Sequence, residues 1–306
     1  MHPRHMRARS ALLVISLLVA TTSCRRDSKK ELSPARQELP PLAASTSSVP
    51  LAVAGFGDAV LSAPSGATSP APVLVAVLGI GDTPESQCAV WRDLIGQRAF
   101  VLCPRGRPHV VFEDSGAGRA EPSDGTAAPE GAEVENGEPH ADSRRTVQVG
   151  FYPSDAEAVE REVAAGLAAL RTRHGAHVSA GPAVYAGFSR GAFLGAVVTA
   201  KNPTTFPRAV LIEGGQSAWT DETAGAFAKS GGKRILFACG RPSCVVEAEA
   251  AVAVLGRHHI ETRIVHGEGE GHGYKKQVKD QLRASFDWVT EGDPVWRQLV
   301  ATTSPR

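Results

Sequence analysis

Residues 183–192 read Ala-Val-Tyr-Ala-Gly-Phe-Ser-Arg-Gly-Ala, and this stretch decides the predicted fold. The apolar run 183–186 breaks into the pattern Gly-x-Ser-x-Gly centred on Ser189, and a second apolar run, 192–198, follows it. Such a pattern marks a sharp turn between a strand and a helix, which pushes the serine hydroxyl out beyond the edge of a sheet. The two glycines remove side chains that would collide in so tight a turn. The stretch therefore predicts strand, turn and helix, with the Ser189 hydroxyl as a candidate nucleophile.

Apolar runs alternate with helix-like segments on both sides of this stretch. Continuous apolar runs are typical of strands buried on both faces, and they predict strands at 73–78, 99–103, 209–212, 234–238 and 263–265, after two shorter ones at 51–54 and 59–62. Capping residues and helical spacing predict helices that open at Thr83-Pro84, at a capping box 154–157, at 221, at 245 and at Tyr274. This alternation predicts an α/β fold with a mostly parallel sheet of about eight strands, covered by helices on both faces.

The N-terminus has the pattern of an export signal. Three arginines in residues 1–10 precede the apolar run 11–20, and the small residues 21–23 lead to Cys24. A cysteine at this point resembles a bacterial lipoprotein signal, in which the new N-terminal cysteine is lipidated. We therefore predict a signal peptide at 1–23, a lipid on Cys24 that attaches the protein to a membrane, and a place at the cell envelope. A plain cleaved signal, with Cys24 incidental, is the alternative.

Composition divides the rest of the chain into parts that fold and parts that do not. Residues 24–48 are polar and rich in Ser, Pro, Lys and Glu, which predicts a disordered tether. Residues 49–306 are predicted to form one domain, interrupted at 113–145 by a disordered insertion rich in Gly, Ala, Glu, Asp and Pro. The net charge of +1 gives no electrostatic reason to expect a nucleic-acid partner.

Four cysteines remain after Cys24, and an even count in an exported protein favours disulfides. Cys239 and Cys244 enclose a short segment with Gly and Pro to turn it, so we pair these two, which leaves Cys88 with Cys103. A metal site is the alternative, but neither pair has Cys-x-x-Cys spacing and no histidine pair of ligand type lies nearby. We predict two disulfides and no metal or other cofactor.

A serine hydroxyl needs a base within hydrogen-bonding reach, and a third group to orient that base. The candidate base is His272, which lies in a glycine-rich loop between the last predicted strand and the last predicted helix. Such a loop can carry an imidazole over the sheet edge. His266 at the end of the strand is expected to be structural, and His258 and His259 to be solvated at a helix end.

The turn at Ser189, the late Gly-His loop and the alternating pattern resemble the α/β-hydrolase fold. Residues 78–85 resemble its oxyanion-hole loop, although Leu78 stands where the family usually has histidine. Residues 100–106 resemble a segment of its dienelactone-hydrolase, polyhydroxybutyrate-depolymerase-like and small carboxylesterase branches. The resemblance covers 50–291. It implies that Ser189 is the nucleophile, that His272 is the general base, and that the backbone N–H groups of Ile80 and Arg190 hold the oxyanion.

The acid of the triad departs from the usual pattern of this family. The family usually places an aspartate in the loop after the strand at 234–238, and here that loop, 240–244, has no carboxylate. Some lipases of this fold take the acid from the preceding strand, which makes Glu213 the first candidate. Glu247 and Asp221 are the second and third.

Two classes of function follow from this interpretation. The first is a serine hydrolase that cleaves small carboxylic esters through an acyl-enzyme, or peptides on the same fold. The second is a hydrolase-like lipoprotein without catalysis, which binds a ligand or a partner; the absent acid and the altered His-Gly motivate it. Substrate identity lies in loops that the sequence does not decode.

Overall fold

The predicted apolar runs form one eight-stranded sheet in the computed structural model, which describes residues 38–43, 48–112 and 147–296. In chain order the strands are Val49–Leu51 (β1), Ala59–Ser62 (β2), Val73–Val77 (β3), Phe100–Cys103 (β4), Arg107–Phe112 (β5), Val147–Tyr152 (β6), Val184–Phe188 (β7), Arg208–Ile212 (β8), Arg234–Cys239 (β9) and Glu261–His266 (β10). The sheet has the order β1-β2-β4-β3-β7-β8-β9-β10, and the six strands from β4 to β10 in this order are parallel. Only β1 and β2 add antiparallel pairings.

Helices cover both faces of the sheet because successive strand residues point to opposite sides. The helices are Pro84–Ile95 (α1), Ala156–His174 (α2), Arg190–Lys201 (α3), Asp221–Lys229 (α4), Pro242–Arg257 (α5) and Gln277–Thr290 (α6). In β3, Val73 and Val75 face the core shared with α2 to α5, whereas Leu74 faces the core shared with α1 and α6. The predicted doubly covered, mostly parallel sheet is confirmed.

A separate hairpin of β5 and β6 was not predicted from the sequence. Its two strands pair antiparallel, with Arg107 opposite Tyr152 and Phe112 opposite Val147. In sequence the two strands stand on either side of the predicted insertion at 113–145. No short turn joins them, so the sequence carries no local hairpin signal. The insertion itself lies outside the described residues, as do the signal peptide at 1–23, Cys24 and most of the tether at 24–48.

Several predicted element boundaries are wrong by a few residues. The cap of α2 is Asp155 rather than Ser154, because the Asp155 side chain accepts a hydrogen bond from the Ala158 amide at 2.7 Å. Helix α6 begins at Gln277 and not at Tyr274, whose ring is buried against Phe188 with 4.8 Å between centroids. The first strand is Val49–Leu51 rather than 51–54. The cap of α1 by Thr83 is confirmed.

Both predicted disulfides are present. Cys88–Cys103 joins α1 to β4, and Cys239–Cys244 joins the end of β9 to the first turn of α5. Among the described residues, no helix is long and apolar enough to cross a membrane.

Candidate active site

Ser189 lies on the sharp turn that the sequence predicts between β7 and α3. Its φ of 52° and ψ of −117° are unusual for a residue with a side chain, and its amide is held by the Ile212 carbonyl at 2.8 Å. The turn requires glycine on both sides: a Cβ on Gly187 would lie 2.4 Å from the Gly191 carbonyl oxygen, and one on Gly191 would lie 2.5 Å from that of Leu78. Backbone strain of this kind costs about 1–3 kcal/mol and persists only where packing enforces it.

His272 reaches Ser189 from the loop between β10 and α6. Its Nε2 lies 2.8 Å from the Ser189 Oγ, which is the distance of a hydrogen bond. The imidazole packs on Phe188, the residue before the serine, with 5.2 Å between ring centroids. Since 44% of the His272 side chain is exposed, a small molecule has access to the pair from solvent.

Glu213 completes a chain of three side chains. Its Oε2 lies 3.1 Å from His272 Nδ1, and its side chain is completely buried. Glu213 directly follows β8 and also has a positive φ, of 54°, which turns its side chain toward the neighbouring strand end. Thus two of the three non-glycine residues with positive φ in the described chain are Ser189 and Glu213.

The buried Glu213 carboxylate has four donors around it. Its Oε1 accepts from the Gly240 amide at 2.5 Å and the Arg241 amide at 3.0 Å, and its Oε2 accepts from Arg241 Nε at 2.6 Å as well as from His272. Burial by itself raises the pKa of the Glu213 carboxyl, but these hydrogen bonds outweigh it, so the pKa lies below the ordinary value of 4.5. The group is therefore an anion at neutral pH.

The other two candidate acids lie elsewhere. Asp221 pairs with Arg257 at 2.9 Å and with His258 at 3.1 Å on the exposed side of α4 and α5. Glu247 is exposed on α5 and makes no hydrogen bond to His272. The structure therefore brings Glu213, and neither Asp221 nor Glu247, into contact with the candidate base.

The loop after β3 lies directly beside the serine. A Cβ on Gly79 would lie 2.9 Å from the Phe188 ring and 3.2 Å from the Ser189 Cβ, so any larger residue there would force these neighbours to shift. Ile80 follows, and this residue is 57% exposed. The amides of Ile80 and Arg190 donate to no other residue in the part of the chain that the structure describes, which leaves both N–H groups available to an oxyanion.

The β5–β6 hairpin holds this loop in place. The Gly81 amide donates to the Phe151 carbonyl, and the Phe151 amide donates to the Asp82 carbonyl, both at 2.9 Å. Gly150 packs against Gly81 so closely that a Cβ would lie 2.7 Å from the Gly81 carbonyl oxygen. The strand that the sequence did not reveal thus fixes the segment that carries Ile80.

A cleft of about 410 Å³ is lined by His272 and by Phe188, the residue before Ser189. Its walls come from the loop after β3, from Phe188 and from the loop that carries His272. Two carboxylates in these walls are already used: Asp82 accepts from Gln87 at 2.6 Å, and Glu270 accepts from the amides of Lys276 and Val278. The cleft is therefore large enough for a small molecule and presents His272 to it.

Sequence reasoning did not find Gly240 and Arg241 as partners of the acid. The segment 240–244 lacks a carboxylate of its own, but Gly240 and Arg241 donate three hydrogen bonds to Glu213, which follows the neighbouring strand. One signal was available, since the first amides of a helix that follows a parallel strand point toward that edge of the sheet and favour an anion.

One cluster of side chains near Glu213 has the residue types that bind metal ions. In the described ranges, the one group of three ligand-type side chains is Glu213, Cys239 and Cys244. The two sulfurs are joined in a disulfide, and a metal-binding cysteine must be a thiolate. This set does not fit a metal ion while the disulfide is closed.

Comparison with solved structures shows which known fold this chain resembles. Solved structures similar to this chain include the protein TT1662 from Thermus thermophilus, at 16% identity and a TM-score of 0.51 over 80% of this chain and 98% of the other. A carboxylesterase from Bacillus cereus shows 15% identity and a TM-score of 0.49 over 77% and 95% of the two chains. An esterase from Pyrobaculum calidifontis shows 14% and 0.49 over 81% and 87%. No family model and no curated protein matches the sequence. The sheet order, together with the similarity to TT1662, identifies the α/β-hydrolase fold.

Proposed function

We propose that this protein is a serine hydrolase of carboxylic esters, with Ser189 as nucleophile, His272 as general base and Glu213 as orienting acid. One observation carries the proposal: hydrogen bonds of 2.8 Å and 3.1 Å link the Ser189 hydroxyl, both nitrogens of His272 and a buried carboxylate in a single chain. A nucleophile, a base in contact with it and a group that orients the base are the parts that acyl transfer requires.

Acylation follows from this arrangement. His272 Nε2 takes the hydroxyl proton while Oγ of Ser189 attacks the ester carbonyl carbon, and the carbonyl oxygen becomes an anion held by the amides of Ile80 and Arg190. When the tetrahedral intermediate collapses, the bond from carbon to the alkoxy oxygen breaks. The imidazolium gives its proton to that oxygen, an alcohol leaves, and the acyl group stays on Ser189.

Deacylation repeats these steps with water. His272 removes a proton from a water molecule, whose oxygen attacks the acyl carbon. Collapse returns the proton to Oγ and releases the carboxylic acid. Glu213 remains ionised throughout: it accepts the Nδ1–H of His272, which leaves Nε2 without a proton and able to accept one from Ser189.

Esters require less leaving-group protonation from this site than amides do. An alcohol is a better leaving group than an amine, so its departure depends less on full protonation by His272. The open position of His272 and the cleft beside it suit a small substrate. The non-catalytic alternative rested on the absence of an acid after β9 and on Leu78 in place of the usual histidine. Glu213, directly after β8, offers a carboxylate in place of the first, and Leu78 remains the argument for the alternative.

The lipoprotein signal predicted at Cys24 completes the proposal. A lipid on Cys24 would hold the domain at the cell envelope by the tether that follows it, and the two disulfides agree with an oxidising compartment. Metabolic labelling with a fatty acid, compared between the natural protein and Cys24→Ala, measures this part of the proposal independently of activity.

The catalytic proposal is tested with a fluorophosphonate probe and p-nitrophenyl esters. We expect the probe to label Ser189 and the esters to be turned over, and both to be lost in Ser189→Ala and His272→Ala. Ser230→Ala removes a hydroxyl at the far end of α4 and serves as the matched control. An unlabelled, properly folded protein would refute the proposed function.

A further inference from the structure

We infer that the six-residue ring closed by the Cys239–Cys244 disulfide is a positioning element. It fixes the position of the Glu213 carboxylate relative to the loop that carries His272. This inference rests on the proposed function, because it assigns the ring a role in the same relay. No residue of the ring lines the cleft beside His272. The ring acts through the groups that it orients.

The first argument is that the ring provides most of the donors to the acid. The amides of Gly240 and Arg241 and the guanidinium of Arg241 all belong to residues between the two cysteines, and all three bind Glu213. Apart from these, His272 alone among the described residues donates to this carboxylate. The buried acid therefore takes its position from a segment that the disulfide closes.

The second argument is that the same ring contacts the loop of the base. The Cys239 carbonyl accepts from the Gly267 amide at 2.9 Å, at the start of the loop that leads to His272. Within the ring, Gly240 approaches Gly271 so closely that a Cβ would lie 2.3 Å from the Gly271 carbonyl oxygen. One short covalent ring thus lies against both the acid and the residue next to the base.

The third argument concerns the segment of Glu213 itself. The acid is followed by two glycines, of which Gly215 has a φ of 87°, and by a short helical turn that begins at Gln216. The Gln216 side-chain amide lies 3.2 Å from the Cys244 sulfur. The disulfide therefore also touches the segment that carries the acid, which ties β8 and β9 together at their ends.

A disulfide that only stabilised the fold would not need to contact the segments that carry Glu213 and His272. Cys88–Cys103 offers the matched comparison, since it joins α1 to β4, and in the described residues Cys88 bonds to the Val60 and Val101 carbonyls rather than to Glu213 or His272. Cys239 and Cys244 are buried, with 0% and 2% of each residue exposed, so opening the bridge changes the interior rather than the surface.

The test is a double-mutant cycle with full-length protein. Cys239→Ser/Cys244→Ser is made in the natural chain and in Glu213→Gln, and kcat and KM are measured with a p-nitrophenyl ester. We expect opening the ring to lower kcat by about ten- to a thousandfold at nearly constant KM in the natural chain, and by less than about threefold in Glu213→Gln. Cys88→Ser/Cys103→Ser should lower Tm and keep kcat within about twofold.

A second readout does not depend on activity. The pKa of the Glu213 carboxyl, followed by carbon-13 NMR, should rise toward its ordinary value when the ring is opened and stay low in Cys88→Ser/Cys103→Ser. If natural protein shows neither turnover nor labelling of Ser189, the proposed function fails and this titration still decides the inference. Should the serine variant not fold, Cys239→Val/Cys244→Ala preserves the apolar volume and takes its place. Equal losses of kcat in both backgrounds, or an unchanged Glu213 pKa, would overturn the inference.

Discussion

Replacing Glu213 by glutamine should remove most of the activity while leaving the site in place. The glutamine oxygen can keep the two backbone hydrogen bonds from Gly240 and Arg241, which are the contacts of Oε1. Its NH₂ group then occupies the position of Oε2, where it meets Arg241 Nε at 2.6 Å and His272 Nδ1 at 3.1 Å. The glutamine NH₂ and Arg241 Nε would then be two donors that face each other, and His272 would have to present Nδ1 as an acceptor.

The size of the effect follows from this change of tautomer. An imidazole that accepts at Nδ1 carries its proton on Nε2, so it cannot take the proton of Ser189. An equivalent replacement in a comparable triad lowers kcat by about 10⁴, and we expect a loss of about 10³ to 10⁴, or roughly 4–5.5 kcal/mol of transition-state stabilisation. KM should change little, since Glu213 is buried and does not face the cleft.

The assay compares kcat and the rate of fluorophosphonate labelling between natural protein and Glu213→Gln. Glu247→Gln makes the same chemical change on the exposed surface of α5 and should keep kcat within about twofold. If Glu213→Gln retains kcat within about threefold while Glu247→Gln loses it, the assignment of the acid is wrong.

The remaining predictions concern pH and packing. Because the folded pKa of Glu213 is depressed, its contribution to the free energy of unfolding is fully present above the ordinary value of 4.5 and is lost as pH falls through the folded value; an acid titration of stability should be shallower in Glu213→Gln. In Gly191→Ala, the added Cβ would lie 2.5 Å from the Leu78 carbonyl oxygen, so we expect a Tm lower by several degrees and loss of probe labelling, whereas Ala192→Gly at the next position should retain labelling. Removing the Cys88–Cys103 disulfide, which spans 15 residues, should lower the free energy of unfolding by about 3 kcal/mol in a denaturant titration, and a stability equal to that of the natural chain would contradict this.

The sequence predicts the elements whose signals are local. Ser189 follows from the strand, turn and helix within one short stretch, and the two disulfides follow from cysteine count and spacing. The β5–β6 hairpin was missed because more than 30 residues separate strands whose pairing defines it. Glu213 was proposed by resemblance alone, because its role depends on donors 27 and 28 residues later in the chain. Arg241 was missed for the same reason, since no local pattern relates a guanidinium to the end of a different strand.

The contact between the hairpin and the loop after β3 has a consequence for changes to this protein. The Phe151 carbonyl accepts from the Gly81 amide, and the Phe151 amide donates to the Asp82 carbonyl. The register of β6 therefore determines where Ile80 lies relative to Ser189. A slip of β6 by one residue would present a different carbonyl to the Gly81 amide and move Gly150 away from the Gly81 backbone. An insertion or deletion within β6 would therefore displace the segment that carries Ile80 beside Ser189 without changing any residue of the candidate site.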